Sequence, residues 1–402
     1  MLLETQIEEV VNTQIEKIVK RDAGLLREKL STIKVIENFA LIVTGVRRCG
    51  KSTLLLQVLK KSIKSVFFLN FEDIRLSAFE TDDFKRLSNI INKRKVTTLF
   101  FDEIQVLANW ELYVRQKLDE GYKVVVTGSN ATLLSKELGT KLTGRHLSTE
   151  LFPFSYNEFI NFKKLENTTE AVEKYLFLGG FPEYIKTENE EILSQLLNDI
   201  LNRDISVRYG IRDVASLKKL TVYLISNIGK LVSANNLKEI FGLKSTTTIL
   251  EYFSYLENSY IVQFLPKFSY SLKTQIRNSK KVYVIDLGLF TQNSIVFTEE
   301  NGRRLENMVY LHLRRQYDEI YYFQEKRECD FAVMKNGKLV ELVQVCYVLT
   351  SENLDRETDG LIEAMEFFKV KNGKIITFNQ TEEFNKNNFK IEVLAAKEYL
   401  IS

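Results

Sequence analysis

Residues 45–52 read Gly45-Val46-Arg47-Arg48-Cys49-Gly50-Lys51-Ser52, followed by Thr53, and fit the pattern G-x-x-x-x-G-K-[ST], whose chemistry is the capture of a phosphate chain. Glycines let backbone N–H groups curl around phosphate oxygens, and a helix start adds its positive end. Lys51 is placed to reach the outer phosphates and Ser52 to offer a hydroxyl to magnesium. The motif carries weight only between a strand and a helix. Here the apolar, β-rich run 40–44 precedes it and the helix-forming run 53–61 follows it. A plain glycine turn between a core strand and a surface helix is the competing reading, and that setting disfavours it. A second apolar run, 97–101, ends on Asp102-Glu103. Parallel strands present their C-terminal ends to one crevice, so these acids belong beside the loop. Asp102 is expected to hold magnesium, directly or through water, and Glu103 to orient and deprotonate an attacking water. A third run, 123–127, leads into Gly128-Ser129-Asn130, where Ser129 or Asn130 would lie beside the terminal phosphate. An ordinary Gly-Ser-Asn turn competes for either residue singly.

These residues need a scaffold, and the pattern around them supplies one. Apolar strands at 40–44, 66–71, 97–101 and 123–127 alternate with helices, which predicts an α/β fold with a parallel, doubly wound sheet. Ahead of the sheet, Ile7, Val10, Val11, Gln14, Ile15, Ile18 and Val19 form one helical stripe, and 25–36 reads as a second amphipathic helix. A chain of 402 residues exceeds one hydrophobic core, so two or three domains are expected. A net charge of +3 is too small to argue for nucleic acid from composition. Three scattered cysteines and two histidines exclude a disulfide framework and a zinc knuckle. The chain shows no apolar run long enough to span a membrane and no basic, apolar leader, so a soluble cytoplasmic protein without a membrane partner is expected. Cys49 inside the loop reads as a tolerated small residue; an exposed thiol there would be open to oxidation.

The runs GVRRCGKSTLLLQ, FFDEIQ, VVVTGSNATLL, LTGRHLSTELFPFSYNEF and LGGFPEY resemble the prokaryotic AAA-type ATPases that carry a winged-helix region and a C-terminal restriction-endonuclease-like domain of unassigned function. The resemblance covers nearly the whole chain. It implies a P-loop parallel-sheet ATPase domain at 1–155 with its helical lead-in, a helical lid at 156–214, a winged helix-turn-helix at 215–295 and a nuclease-like α/β domain at 296–402. It implies ATP and Mg2+ as ligands, and it makes Arg145 the candidate arginine finger, acting on a neighbouring subunit's nucleotide or in cis. A surface arginine at a strand start competes evenly with that role. Arg203 or Arg208 in the lid would sense nucleotide, or pair within their own helix.

Ser233 starts and Gly242 stops a short helix, and Ser245 caps the next, which with a following strand predicts helix-turn-helix plus wing. Lys244, Ser245 and 246–248 stand at the start of the candidate recognition helix, and Lys273, Arg277, Lys280 and Lys281 are candidate phosphate contacts. DNA is therefore one expected partner, with a homo-oligomer or protein partner as the other. In the last region an Asn336-Gly337 hairpin signal separates two strands. The nuclease resemblance assigns magnesium-binding acids to Glu306 and Asp330, but the acid-x-lysine triplet reads Gln344-Val345-Cys346. Glu341 should face the other side of its strand. A degenerate site used for binding or scaffolding is expected over an active nuclease, with Cys346 packed in the core. Three functions follow: an ATPase, a nucleotide-gated regulator with little turnover, and a magnesium-dependent nuclease.

Overall fold

The computed structural model describes residues 1–62, 65–129, 142, 144–242, 245–295 and 300–401. Asn130 and Lys244 lie outside the described residues. The chain divides into two compact units, Met1–Phe152 and Pro153–Ser402.

In the first unit the buried runs pair as a five-stranded parallel sheet. Its strands are β1 (Ala40–Thr44), β2 (Val66–Asn70), β3 (Thr98–Asp102), β4 (Lys123–Gly128) and β5 (His146–Glu150), in the order β2-β3-β4-β1-β5. All five residues of β1 and of β3 are buried, as strands covered on both faces require. Helices α1 (Glu4–Lys20), α3 (Asp83–Lys93) and α4 (Trp110–Asp119) bury Ile7, Val10, Leu87, Ile91, Val114 and Leu118 with strand residues such as Phe67, Leu99 and Phe101. Helix α2 (Lys51–Ser62) packs on β1, β3 and β4. The edge strand β2 is closed by Gln14, whose side chain accepts from Asn70 N at 2.7 Å and donates to Asn70 O at 3.1 Å.

The expected second helix over 25–36 is absent; only a short 3-10 turn, Glu28–Ser31, forms there. The reason lies in α2. Gln57 accepts from Arg27 N at 3.1 Å and donates to Ala23 O at 2.9 Å and Leu25 O at 2.7 Å. One buried glutamine thus takes backbone groups of 23, 25 and 27, among them the Leu25 carbonyl that a helix would have paired with residue 29, so the segment runs as a strap.

The second unit begins with helices Tyr156–Lys163, Thr169–Leu178, Pro182–Thr187 and Glu191–Asp199, then a helix with wider π-type turns, Ile200–Val207. Between the second and third of these, Gly179 has φ of 67°, and a Cβ there would fall 2.3 Å from Asp286 Oδ1, which explains the Gly-Gly turn. Next come helices Val214–Ile225, Ala234–Ile240 and Thr246–Asn258, with a three-stranded sheet of β6 (Leu231–Val232), β7 (Val262–Leu265) and β8 (Lys280–Val284) in the order β6-β8-β7. Ser233 and Ser245 cap their helices by accepting from Asn236 N at 3.3 Å and Thr247 N at 3.1 Å.

Helix Asn301–Arg314 leads into a mixed sheet of β9 (Glu319–Gln324), β10 (Glu328–Lys335), β11 (Lys338–Val345), β12 (Asn372–Thr377), β13 (Glu382–Lys386) and β14 (Phe389–Ala395), ordered β13-β14-β12-β11-β10-β9. Strands β9, β10 and β11 are antiparallel, and β11 pairs with β12 in parallel across the helix Leu354–Phe368. That helix starts seven residues earlier than its apolar pattern, at 361, suggests. Asp355 and Glu357 in its first turn complement the helix dipole and hide the start among charges.

Candidate nucleotide site

The loop after β1 has the backbone its glycines demand. Gly45 has φ of 147°, and a Cβ there would fall 2.1 Å from Leu151 O, so no side chain fits. Behind the loop lies Arg27, buried on the N-terminal strap. Its guanidinium donates to Cys49 O at 2.7 Å and to Phe152 O at 2.7 Å, bolting the loop to the end of β5. Cys49 is buried and donates from Sγ to Leu151 O at 3.3 Å, and burial pushes its thiol up. The oxidisable exposed thiol is thus corrected: Cys49 packs inward. Replacing Arg27 by Ala orphans two buried carbonyls and should lower the urea-unfolding stability of the protein by about 2–4 kcal/mol. An unchanged unfolding midpoint would show that the strap does not brace the loop.

Lys51, only 4% exposed, directs its ammonium to Gly45 O and Val46 O, both at 3.1 Å, with Glu103 Oε1 at 3.8 Å. Asp102 ends β3 almost fully buried. It accepts from Asn70 Nδ2 at 2.9 Å and from Thr127 Oγ1, with the Ser52 hydroxyl also bonded to it. Burial and then the Glu103 charge push the Asp102 carboxyl up, against those hydrogen bonds and the Lys51 ammonium. Glu103 sits at φ of 52°, in the left-handed region, and its N–H donates to Thr127 Oγ1 at 3.0 Å. Gln105 Nε2 holds the Glu103 carboxylate and lies 3.5 Å from Ser129 Oγ. In these contacts Thr127 serves both acids with one hydroxyl.

The structure brings Lys51, Ser52, Asp102, Glu103 and Ser129 to one end of the sheet. Strand order explains why: β4 lies between β1 and β3, so the segment after β4 emerges between the loop and the acid pair. These groups fit a magnesium-bound nucleotide. The glycine cradle admits no Cβ, and a hydroxyl is already joined to a buried carboxylate beside a buried ammonium. Arg47, also in the loop, pairs with Glu72 at 3.0 Å.

Arg145 is not brought to this site. It precedes β5, whose His146 is registered with Ala40 at the start of β1, so the five residues of β1, about 16 Å of strand, separate it from the loop. Its Nη2 donates to Asp119 Oδ1 at 2.7 Å. An in-cis finger is therefore corrected by the register of β1 and β5. Asn70, Thr127, Gln105 and Arg27 were missed from the sequence. Asn70 and Thr127 carried a signal, as polar residues at the C-terminal ends of apolar strands; Gln105 stands two residues after Glu103. Arg27 carried none, because its contacts reach across the chain.

In the second unit Glu306 and Asp330 do meet, through a residue assigned elsewhere. Lys281, expected among the exposed phosphate contacts, is 2% exposed and turned inward. Its ammonium lies 3.0 Å from Glu306 Oε1, 2.8 Å from Glu328 Oε1 and 2.7 Å from Asp330 Oδ1. Burial pushes the Glu306 carboxyl up to about 7, against the pull of Lys281. Gln344 Oε1 accepts from Asp330 N at 3.2 Å while its Nε2 donates to Glu357 Oε2 at 2.9 Å. Cys346 is buried in the core, donates to Val348 O at 3.1 Å, and has its thiol pushed up to about 11 by burial. Glu341 faces the other side, with Lys374 Nζ at 2.8 Å. Arg203 and Arg208 are exposed on or next to the π-type helix.

Residues 37–160 match the family described as AAA domain, and 169–299 match a domain of unknown function, DUF8612. The uncharacterized protein MJ1544 of Methanocaldococcus jannaschii is 36% identical over 407 residues, spanning 94% of this chain and 90% of that one. An uncharacterized protein of Haemophilus influenzae is 30% identical over 355 residues, spanning 83% and 88%. Among solved structures, AMPPCP-bound DnaA from Aquifex aeolicus aligns at 16% identity and TM-score 0.28 over 62% of this chain and 88% of that one. The Thermotoga maritima RuvB Holliday junction branch migration motor aligns at 15% identity and TM-score 0.30 over 63% and 89%. Both scores are below the level at which whole folds correspond. No helix among the described residues is long and apolar enough to cross a membrane.

Proposed function

The chain belongs to the family that includes MJ1544 of Methanocaldococcus jannaschii and the Haemophilus influenzae protein, with an AAA domain at 37–160, and from this we propose that it binds ATP with Mg2+ and hydrolyses it. The observation that carries the reading is the buried junction of Lys51, Ser52, Asp102 and Glu103 at the C-terminal ends of β1 and β3. Ser52 and Asp102 would hold the magnesium ion, which when bound neutralises phosphate charge. Lys51 would turn from the loop carbonyls to the outer phosphates. Glu103 would accept the proton of the water that attacks the terminal phosphorus as ADP leaves, with Ser129 beside that terminal phosphate. Arg145 acts, in this reading, on the nucleotide of a second copy of the chain, which makes a homo-oligomer its partner.

A second reading, an ATP-gated regulator with little turnover, draws on one contact: the Glu103 carboxylate is held by Gln105 and must be released before it can serve as base. Phosphate release by the wild type, Glu103→Gln and Lys51→Ala separates the two. Equal rates in all three would sink the ATPase reading.

For the second unit we infer a winged helix over 214–284. Helix Val214–Ile225, β6, two capped helices and the antiparallel pair β7 and β8 come in the order such a module needs. Lys273, Arg277 and Lys280 would touch DNA phosphates, and Lys281 leaves that set. Helix, three antiparallel strands, helix and a parallel fourth strand support a nuclease-like reading of 300–395. DNA retention that is unchanged when Lys273 and Arg277 are both replaced by Glu would overturn the DNA role.

A further inference from the structure

A nuclease-like fold implies a divalent metal between Glu306 and Asp330, and the residues present do not fit one. We propose that the Lys281 ammonium is the resident cation of this acid cluster and closes it to metal, so that the domain performs no metal-dependent phosphodiester chemistry. The inference stands on the cluster alone and not on the ATP site.

The geometry leaves the ammonium nothing further to give. An ammonium has three N–H donors, and three carboxylates surround it, at 3.0 Å for Glu306, 2.8 Å for Glu328 and 2.7 Å for Asp330. A hard dication would need those same oxygens at about 2.0–2.6 Å, which places it against the nitrogen. Two further donors reach the same carboxylates. Tyr283 Oη donates to Glu306 Oε1 at 2.6 Å and Val345 N donates to Asp330 Oδ2 at 2.9 Å. A Cβ on Gly229 would meet Glu306 Oε2 at 3.0 Å, so backbone lies close against that oxygen. Gln344, at the triplet's acid position, is tied to Asp330 N and to Glu357 and is not turned to the ammonium.

Lys281 starts on β8, whereas Glu328 and Asp330 belong to β10 and Glu306 to the helix Asn301–Arg314. The charge cluster therefore joins the three-stranded sheet to the six-stranded one. A buried lysine among three acids is stable only with all of them paired, and removing it leaves three carboxylates without a cation. That consequence makes the inference testable, because a metal should then take the vacated place.

The test is Tb3+ titration of the full chain, read as luminescence excited through tyrosine. Tyr283 is bonded to Glu306 and stacked on Tyr310 with ring centroids 4.2 Å apart, so an ion at the cluster has sensitisers beside it. Lys281→Ala should gain a saturable site at least about tenfold tighter than any tyrosine-sensitised site in the wild type. The gain should vanish in Lys281→Ala combined with Asp330→Asn. Equal binding by wild type and Lys281→Ala, or none by either, would overturn the proposal. Should Lys281→Ala unfold in EDTA, recovery of its far-UV circular dichroism on adding Mn2+ supports the proposal, and persistent unfolding with metal overturns it.

Discussion

Glu103→Gln should retain Mg2+-ATP while phosphate release falls by about two to four decades, the usual range for loss of a positioned general base. The substitution keeps size and hydrogen bonding but removes the lone basic oxygen pair and the negative charge beside Lys51, 3.8 Å away. Nucleotide affinity should therefore hold or rise, since a negative charge near the phosphates is lost. Asp102 should also be eased, because the Glu103 charge is one cause of its raised carboxyl. Filter binding of labelled ATP beside a phosphate-release assay checks both halves. Equal loss of binding and rate would assign Glu103 to holding the loop and not to chemistry.

Lys51→Ala should act at the earlier step and weaken ATP binding by about ten- to a hundredfold, as expected for one or two charge-assisted hydrogen bonds of about 1.5–3 kcal/mol. The ammonium also bridges Gly45 O and Val46 O, so its removal leaves two loop carbonyls short of a donor. The loop then loses its cation and its internal brace together. Isothermal titration with ATP in Mg2+ reads the first effect and thermal unfolding without nucleotide reads the second. Affinity within twofold of wild type would contradict the assignment of Lys51 to phosphate.

The sheet and the phosphate loop were legible because their signals are local. A strand such as Ala40–Thr44, buried on both faces, must be apolar throughout, and a loop that meets Leu151 O at 2.1 Å from a would-be Cβ must begin with Gly45. The acid pair was legible for the same reason, since parallel strands discharge their polar ends into one crevice. What escaped were residues whose role is fixed by partners far along the chain. Arg27 reads as one charge in an amphipathic stretch until Cys49 O and Phe152 O stand against it, and the helix expected there yields to Gln57. Lys281 reads as a member of a basic run until Glu306, Glu328 and Asp330 close around it. Arg145 was read from its place in a motif, and only the register of β5 on β1 puts it at the opposite end from the loop.

The central claim is that the site formed by Lys51, Ser52, Asp102 and Glu103 turns ATP over with magnesium. A single-turnover experiment reads it most directly: protein in excess over labelled ATP, quenched in acid, with the fraction recovered as ADP followed over time. The account predicts complete conversion in Mg2+, none in EDTA, and retention of uncleaved ATP by Glu103→Gln. ATP recovered intact from the wild type in Mg2+, although bound, would contradict it.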